Sequence, residues 1–168
     1  EALINGIINY NSITNAEIVG EEFNISNELK QVLHKHADIS NVELQLMNCD
    51  ISIYHSLNSF DQIFRDLISN SLKFVNSTTI KIKITFTEEQ DFYFFTYEDN
   101  GPGIPEKYWE KVFGLFEKLG IDDVENTGIG LTTIKTLIEK LGGKITIGKR
   151  PNNEKGVFFN FSLAKLPS

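Results

Sequence analysis

One segment near the middle of the chain limits the possible folds more than any other. Phe60, Ile63, Phe64, Leu67, Ile68, Leu72 and Val75 recur at intervals of three and four, the spacing that lines one face of an α-helix. Ser59 with Gln62 has the form of a capping box, so the pattern predicts a helix over 59–75. A stripe this apolar must be covered, and the next segments supply a cover. Ile80, Ile82, Ile84 and Phe86 alternate with polar residues, and Phe92 to Tyr97 is aromatic and β-prone. Both read as neighbouring strands, the second running into the Gly-rich turn Asp99-Asn100-Gly101-Pro102-Gly103.

The remaining elements fall around this pair. Leu3, Ile4, Ile7 and Ile8 mark a short amphipathic helix over 1–13. Glu22 to Ile25 is a strand candidate, and Ser26 is placed to cap a helix through Leu29, Val32 and Leu33 with Glu28 in its first turn. Val42, Leu44 and Leu46, then Ile51 and Ile53, alternate as two small strands joined by a turn near Asn48 and Asp50. From Ile104 to Thr127 the pattern is irregular, the length expected of a functional lid. Leu131, Ile134, Leu137, Ile138 and Leu141 define a last helix ending at Gly142-Gly143, and 144–148 and 157–163 form closing strands. This order predicts an α+β fold: a two-layer α/β sandwich whose mixed, mostly antiparallel sheet is covered on one face by helices.

Composition narrows the functional classes. The 168 residues suit a single domain with a sizeable core. Sixteen basic against 23 acidic residues leave a formal charge of −7, a field that repels phosphate backbones and anionic lipid surfaces. Nucleic-acid binding and direct membrane contact are therefore not expected. Cys49 is the single cysteine, so an intrachain disulfide is excluded and a reducing cytoplasmic setting fits. No apolar stretch approaches the roughly 20 residues of a membrane span. The first residue is Glu1 and the only methionine is Met47, so the chain is expected to be a fragment of a longer protein.

Three constellations carry chemistry. Opposite the apolar stripe of helix 59–75 lie Gln62, Asp66, Ser69, Asn70 and Lys73, aligned over two turns. Such a face can hold a hydrated Mg²⁺ through Asn70 while Lys73 neutralises phosphate oxygens. Taken alone, a solvated helix face is the more ordinary reading. In the turn after the aromatic strand, Asp99 can accept a hydrogen bond from an exocyclic amine, and Gly101 and Gly103 let the backbone approach a planar ligand. A tight strand exit would have the same composition. Finally, Asn126-Thr127-Gly128-Ile129-Gly130-Leu131 opens a helix whose N–H groups can face an anion, although close helix packing also selects such glycines. Neither a P-loop nor a Rossmann fingerprint is present.

In their order and spacing these motifs resemble the ATP-binding catalytic domain of sensor histidine kinases, in the superfamily shared with gyrase, MutL and the heat-shock chaperone ATPases. Residues 62–74 resemble its N box, 99–104 its G1 box, 113–119 its F box and 127–131 its G2 box. The likeness extends over about residues 20 to 165 and includes the closing Gly142-Gly143-Lys144-Ile145 and 155–161. It implies that Asn70 coordinates Mg²⁺, that Lys73 contacts phosphates, and that Asp99 receives the adenine amino group. It also implies that Gly101, Gly103 and Ile104 shape the base pocket, with Phe74 on the adenine or ribose side. Thr127, Gly128, Ile129, Gly130 and Leu131 are then the phosphate and lid contacts, and Lys118 meets the terminal phosphate.

Two positions depart from the family pattern. Asp66 stands where many members have Asn, a carboxylate able to orient or deprotonate water. Asn126 stands at the first G2 glycine. His34, His36 and His55 are followed by Lys35, Ala37 and Ser56, not by the acidic residue that follows the family's phosphoacceptor, so ordinary surface or partly buried roles are expected for them.

The resemblance thus implies an organisation and an activity. Residues 1–15 are the end of a dimerisation and phosphoacceptor helical domain, and 16–168 are the catalytic domain with a lid at about 105–127. The domain is expected to bind Mg-ATP and transfer the γ-phosphate to a histidine of the adjacent dimerisation domain, within a homodimeric parent that passes phosphate to a response regulator receiver domain. A cytoplasmic location is expected, with membrane anchoring of the parent left open. Competing readings are a nucleotide-binding regulatory module without transfer activity and an ATPase of the same superfamily.

Overall fold

A computed structural model describes residues 17–36, 38–113 and 129–168. Seven strands, β1 (Glu21–Asn24), β2 (Val42–Met47), β3 (Ser52–His55), β4 (Ile80–Glu88), β5 (Phe92–Asp99), β6 (Ile145–Ile147) and β7 (Phe158–Ala164), accompany three α-helices among these residues. The helices are α1 (Ile25–His36), α2 (Leu57–Phe74) and α3 (Ile129–Lys140). The main sheet has the order β2-β4-β5-β7-β6, with β2 parallel to β4 and every other pair antiparallel. The helices lie against one face, with α2 packed between α1 and α3. This is the expected α+β sandwich.

Helix α2 forms where the periodicity places it but begins one turn sooner than the expected capping box. Ser56 is the N-cap, its Oγ accepting from the Ser59 amide at 3.2 Å, so Ser59 is a first-turn residue and Gln62 faces Asp66. The helix ends at Val75, whose extended φ and ψ stop propagation. At α1 the cap is Asn24 in place of Ser26. The Asn24 Oδ1 accepts from the Asn27 amide at 3.0 Å, and Ser26 is buried inside the helix. At its other end α3 closes in a Schellman turn. The Gly143 amide donates to Ile138 O and the Gly142 amide to Glu139 O, with Gly142 at φ 76°.

The two small strands on either side of Asn48 belong to different sheets. Strand β2 runs along β4, whereas β3 pairs with β1 in a separate two-stranded sheet. Asn48, at φ 60°, makes the turn between them.

The core is aromatic. Phe60, Ile63, Phe64, Leu67 and Ile68 of α2 are at most 1% exposed, each burial contributing about 1.5–3 kcal/mol. They meet the inward-facing residues of β5 and β7. Phe95 and Phe161, cross-strand partners, stack at 5.2 Å, and Phe64 meets Phe95 edge-on at 5.4 Å. His55 is fully buried and its Nε2 lies 2.9 Å from Ala164 O. A carbonyl only accepts, so Nε2 carries the proton; burial holds the pKa of this imidazole below its ordinary value. His55 is a structural tie between β3 and the end of β7, and His34 and His36 are exposed on α1.

Candidate functional site

Period-two alternation decides the fate of Asp99. Tyr93, Phe95 and Tyr97 face the helices, so the last residue of β5 faces them too, and its carboxylate lies 4% exposed beneath α2. A buried carboxylate must be satisfied, and this one is. Oδ1 accepts from the Gly101 amide at 3.0 Å and the Val157 amide at 3.2 Å, and Oδ2 accepts from the Ser71 hydroxyl at 2.7 Å. The Tyr97 hydroxyl lies 2.7 Å from Ser71 Oγ and 3.2 Å from Leu67 O. Since Ser71 spends its proton on Asp99, Tyr97 is the donor in this chain. Burial, with the nearby charge of Asp99, raises the Tyr97 pKa well above its ordinary value, so the phenol stays protonated. Three donors occupy three of the roughly four lone-pair sites of a carboxylate. One site on Oδ2 remains for an outside donor.

The turn beyond Asp99 is built from close backbone approaches. Asn100 ties it to the start of β4, its Oδ1 accepting from the Lys81 amide at 2.8 Å and its Nδ2 donating to Thr79 O at 3.0 Å. Gly103 is at φ 72°, and a Cβ there would sit 2.9 Å from Gly156 O. Ile104 is half-buried against the core. With Gly103 it lines a cleft of about 460 Å³ whose other wall includes Ile147, Gly148 and Val157. Residues 105–113, within the segment read as a lid, are tied down. The Trp109 indole donates to Ile104 O at 2.8 Å, Val112 is buried, and the Thr132 hydroxyl donates to Phe113 O at 2.9 Å.

The polar face of α2 includes Asn70, which immediately precedes Ser71, the helix residue that holds Asp99. Asp66 accepts from Gln62 Nε2 at 2.8 Å, Arg65 Nη2 donates to Gln62 Oε1, and Arg65 Nε is 3.9 Å from Asp66. Burial pushes the Asp66 carboxyl up to about 6, against the opposing pull of the Gln62 hydrogen bond and the charges of Arg65 and Lys73. Asn70 and Phe74 are half-exposed and Lys73 is exposed. Among the described residues no group is hydrogen-bonded to the Asn70 carboxamide, which leaves its oxygen available to a cation. No group of three or more His, Cys, Asp or Glu side chains among them is placed to hold a metal.

Of the expected phosphate and lid contacts, Ile129 and Gly130 open α3 and Leu131 is half-buried against the core, whereas Lys118, Thr127 and Gly128 lie outside the described residues. Ser71, Tyr97, Gly156 and Val157 are site components that no pattern in the sequence singles out for a role. One of them did leave a signal. Ser71 is the polar residue standing in the apolar stripe of α2, three and four residues after Ile68 and Leu67.

Residues 56–167 match the family model described as histidine kinase-, DNA gyrase B-, and HSP90-like ATPase. The chain belongs to this family. Its similarity to the phytochrome-like protein Cph1 of Synechocystis sp. is 36% identity over 103 residues, covering 61% of this chain and 14% of that protein. The cyanobacterial phytochrome B of Nostoc sp. is 26% identical over 173 residues, or 97% of this chain and 22% of that protein. The chain thus spans less than a quarter of the length of these relatives. The catalytic domain of the histidine kinase ThkA, in a nucleotide-free form, superposes with TM-score 0.71 at 26% identity over 89% of this chain and 99% of that one. Full-length ShkA in complex with AMPPNP shares the fold, with TM-score 0.74 over 99% of this chain and 36% of that one, at 19% identity.

Membership of this ATPase family implies nucleotide binding. No helix among the described residues is long and apolar enough to cross a membrane.

Proposed function

We propose that this histidine kinase-like ATPase domain binds Mg-ATP and, in the intact protein, presents the γ-phosphate to a histidine of an adjacent helical dimerisation domain. The observation that carries the reading is the Asp99 carboxylate, buried, fixed by Ser71, Gly101 and Val157, and left with one lone-pair site. A group so arranged selects an exocyclic amine such as that of adenine and rejects a carbonyl in its place. Gly101, Gly103, Ile104 and Phe74 shape the base pocket. Asn70 supplies a metal oxygen, Lys73 and Lys118 meet phosphates, and Thr127, Gly128, Ile129, Gly130 and Leu131 close over the triphosphate. Bound Mg²⁺ would neutralise charge on the phosphate oxygens.

The domain's own contribution is then positioning and charge neutralisation. The acceptor imidazole attacks the γ-phosphorus, a P–N bond forms as the bond to the β-phosphate oxygen breaks, and ADP leaves. Residues 1–15 are read as the end of the acceptor's helical domain and 16–168 as the catalytic domain. The intact protein is read as a cytoplasmic homodimer serving a receiver domain. Incubation of the intact protein with γ-labelled ATP should give acid-labile phosphate. Asn70→Ala should abolish Mg²⁺-dependent nucleotide binding, and unchanged Mg-ATP affinity in that variant would sink the assignment.

One feature favours a second reading, ATP hydrolysis. Asp66, oriented by Gln62 and raised to about 6, is suited to accept a proton from water. Steady turnover by this chain that is lost in Asp66→Asn would favour it. Nucleotide binding with no labelling of the intact protein would instead identify a regulatory module.

A further inference from the structure

The connection between β6 and β7 supplies one of the three donors to Asp99, yet it has little regular structure of its own. Asn152 and Asn153 are in left-handed conformations at φ 60° and 56°, and Gly156 is at φ 137°. A Cβ on Gly156 would lie 1.8 Å from Asp99 O, so this connection is pressed directly onto the end of β5.

A single side chain fastens it there. The Arg150 guanidinium, with the side chain 14% exposed, reaches three places at once. Nε is 3.2 Å from Glu98 Oε1, Nη1 donates to Lys155 O at 2.7 Å, and Nη2 is 2.9 Å from Glu154 Oε2. Glu98 immediately precedes Asp99 and is 7% exposed, so its pairing with Arg150 is screened far less than a surface ion pair. Lys155 immediately precedes Gly156 and Val157. The planar fork therefore joins the residue before Asp99 to the residues before Val157, a geometry that the single ammonium of lysine cannot reproduce.

The contact that Arg150 protects is long. Val157 N is 3.2 Å from Asp99 Oδ1 and Asp99 N is 3.4 Å from Val157 O, at or beyond the upper end of ordinary N–H···O distances. A displacement of a few tenths of an ångström would break both. The carboxylate would then keep only Gly101 and Ser71 as donors and could turn, changing the lone pair that it offers.

Resting on the nucleotide reading above, we infer that Arg150 is a positioning residue that sets base selectivity by holding the Val157 amide against Asp99. Its guanidinium is committed to Glu98, Glu154 and the Lys155 carbonyl, so in this role it acts through the Val157 amide.

The test compares the affinity of this chain for Mg-ATP with that for purine-riboside triphosphate, which lacks the 6-amino group. In Arg150→Met the preference for ATP should fall at least fivefold, with little change in binding of the amine-free nucleotide. Because the substitution also strands the Glu98 charge, the double variant Arg150→Met with Glu98→Gln separates fold from function: its thermal midpoint should recover while the preference stays low. If the preference returns together with stability, or never falls, the role of Arg150 is overturned. Asp99→Asn is the reference. A wild-type preference in that variant overturns the base-reading assignment and this inference with it, whereas loss in Asp99→Asn with retention in Arg150→Met overturns this inference alone.

Discussion

The Ser71 hydroxyl donates to Asp99 Oδ2 across 2.7 Å, between residues 1% and 4% exposed, and so joins the apolar stripe of α2 to the end of β5. A serine in the core is satisfied here by the carboxylate whose direction it fixes. Helix and strand are locked at the carboxylate to which the proposed nucleotide reading assigns the base.

Ser71→Ala should weaken Mg-ATP binding by about tenfold and lower stability by about 1.5–3 kcal/mol, the range for a hydrogen bond to a charged group. The Tyr97 hydroxyl keeps Leu67 O as an acceptor, so the loss should come from the Asp99 side. Isothermal titration and chemical denaturation measure the two effects.

Asp99→Asn should retain the fold while losing most ATP affinity, on the order of 100-fold. The Asn oxygen can accept from the Gly101 and Val157 amides and its NH2 group can donate to Ser71 Oγ, but that leaves a donor where an exocyclic amine needs an acceptor. A circular dichroism spectrum like that of the parent with a collapsed ATP affinity is the expected pair of results.

Asp66 gives a pH dependence with a definite sign. Its folded-state pKa of about 6 stands above the ordinary 3.8, so between these values the folded chain binds more protons than the unfolded one. The stabilisation is full below about pH 3.8 and is lost as pH rises through about 6. The difference in thermal midpoint between the parent and Asp66→Asn should therefore shift against the parent across this window and level off above it. A difference independent of pH would show that Asp66 is not the titrating group.

Gly143→Ala should be among the most damaging small substitutions. A Cβ there would lie 1.7 Å from Ser162 O, a backbone atom that cannot yield without parting the turn after α3 from β7. A loss of about 3 kcal/mol, or failure to accumulate folded protein, is expected from overpacking of this kind, measured against Gly148→Ala, whose nearest contact is a phenyl edge at 3.3 Å.

The sequence by itself determined the local elements of the fold. Helix α2, the alternation of β4 and β5, the glycine stop of α3 and the turn at Asp99 are local patterns, written in the spacing of Phe60 to Val75, Ile80 to Phe86 and Gly142-Gly143, and local patterns are legible because backbone geometry repeats every 3.6 or 2 residues. Even there the caps slipped, to Ser56 and Asn24, because several polar residues near each helix start can accept the same amide and packing chooses among them. What only the tertiary structure decided is how distant residues share one carboxylate. Ser71, Asp99 and Val157 stand 28 and 58 positions apart along the chain, and no periodicity links them. Their meeting follows from β5 lying between β4 and β7 under α2. It also depends on burial, which forces a charged oxygen to find every donor within reach.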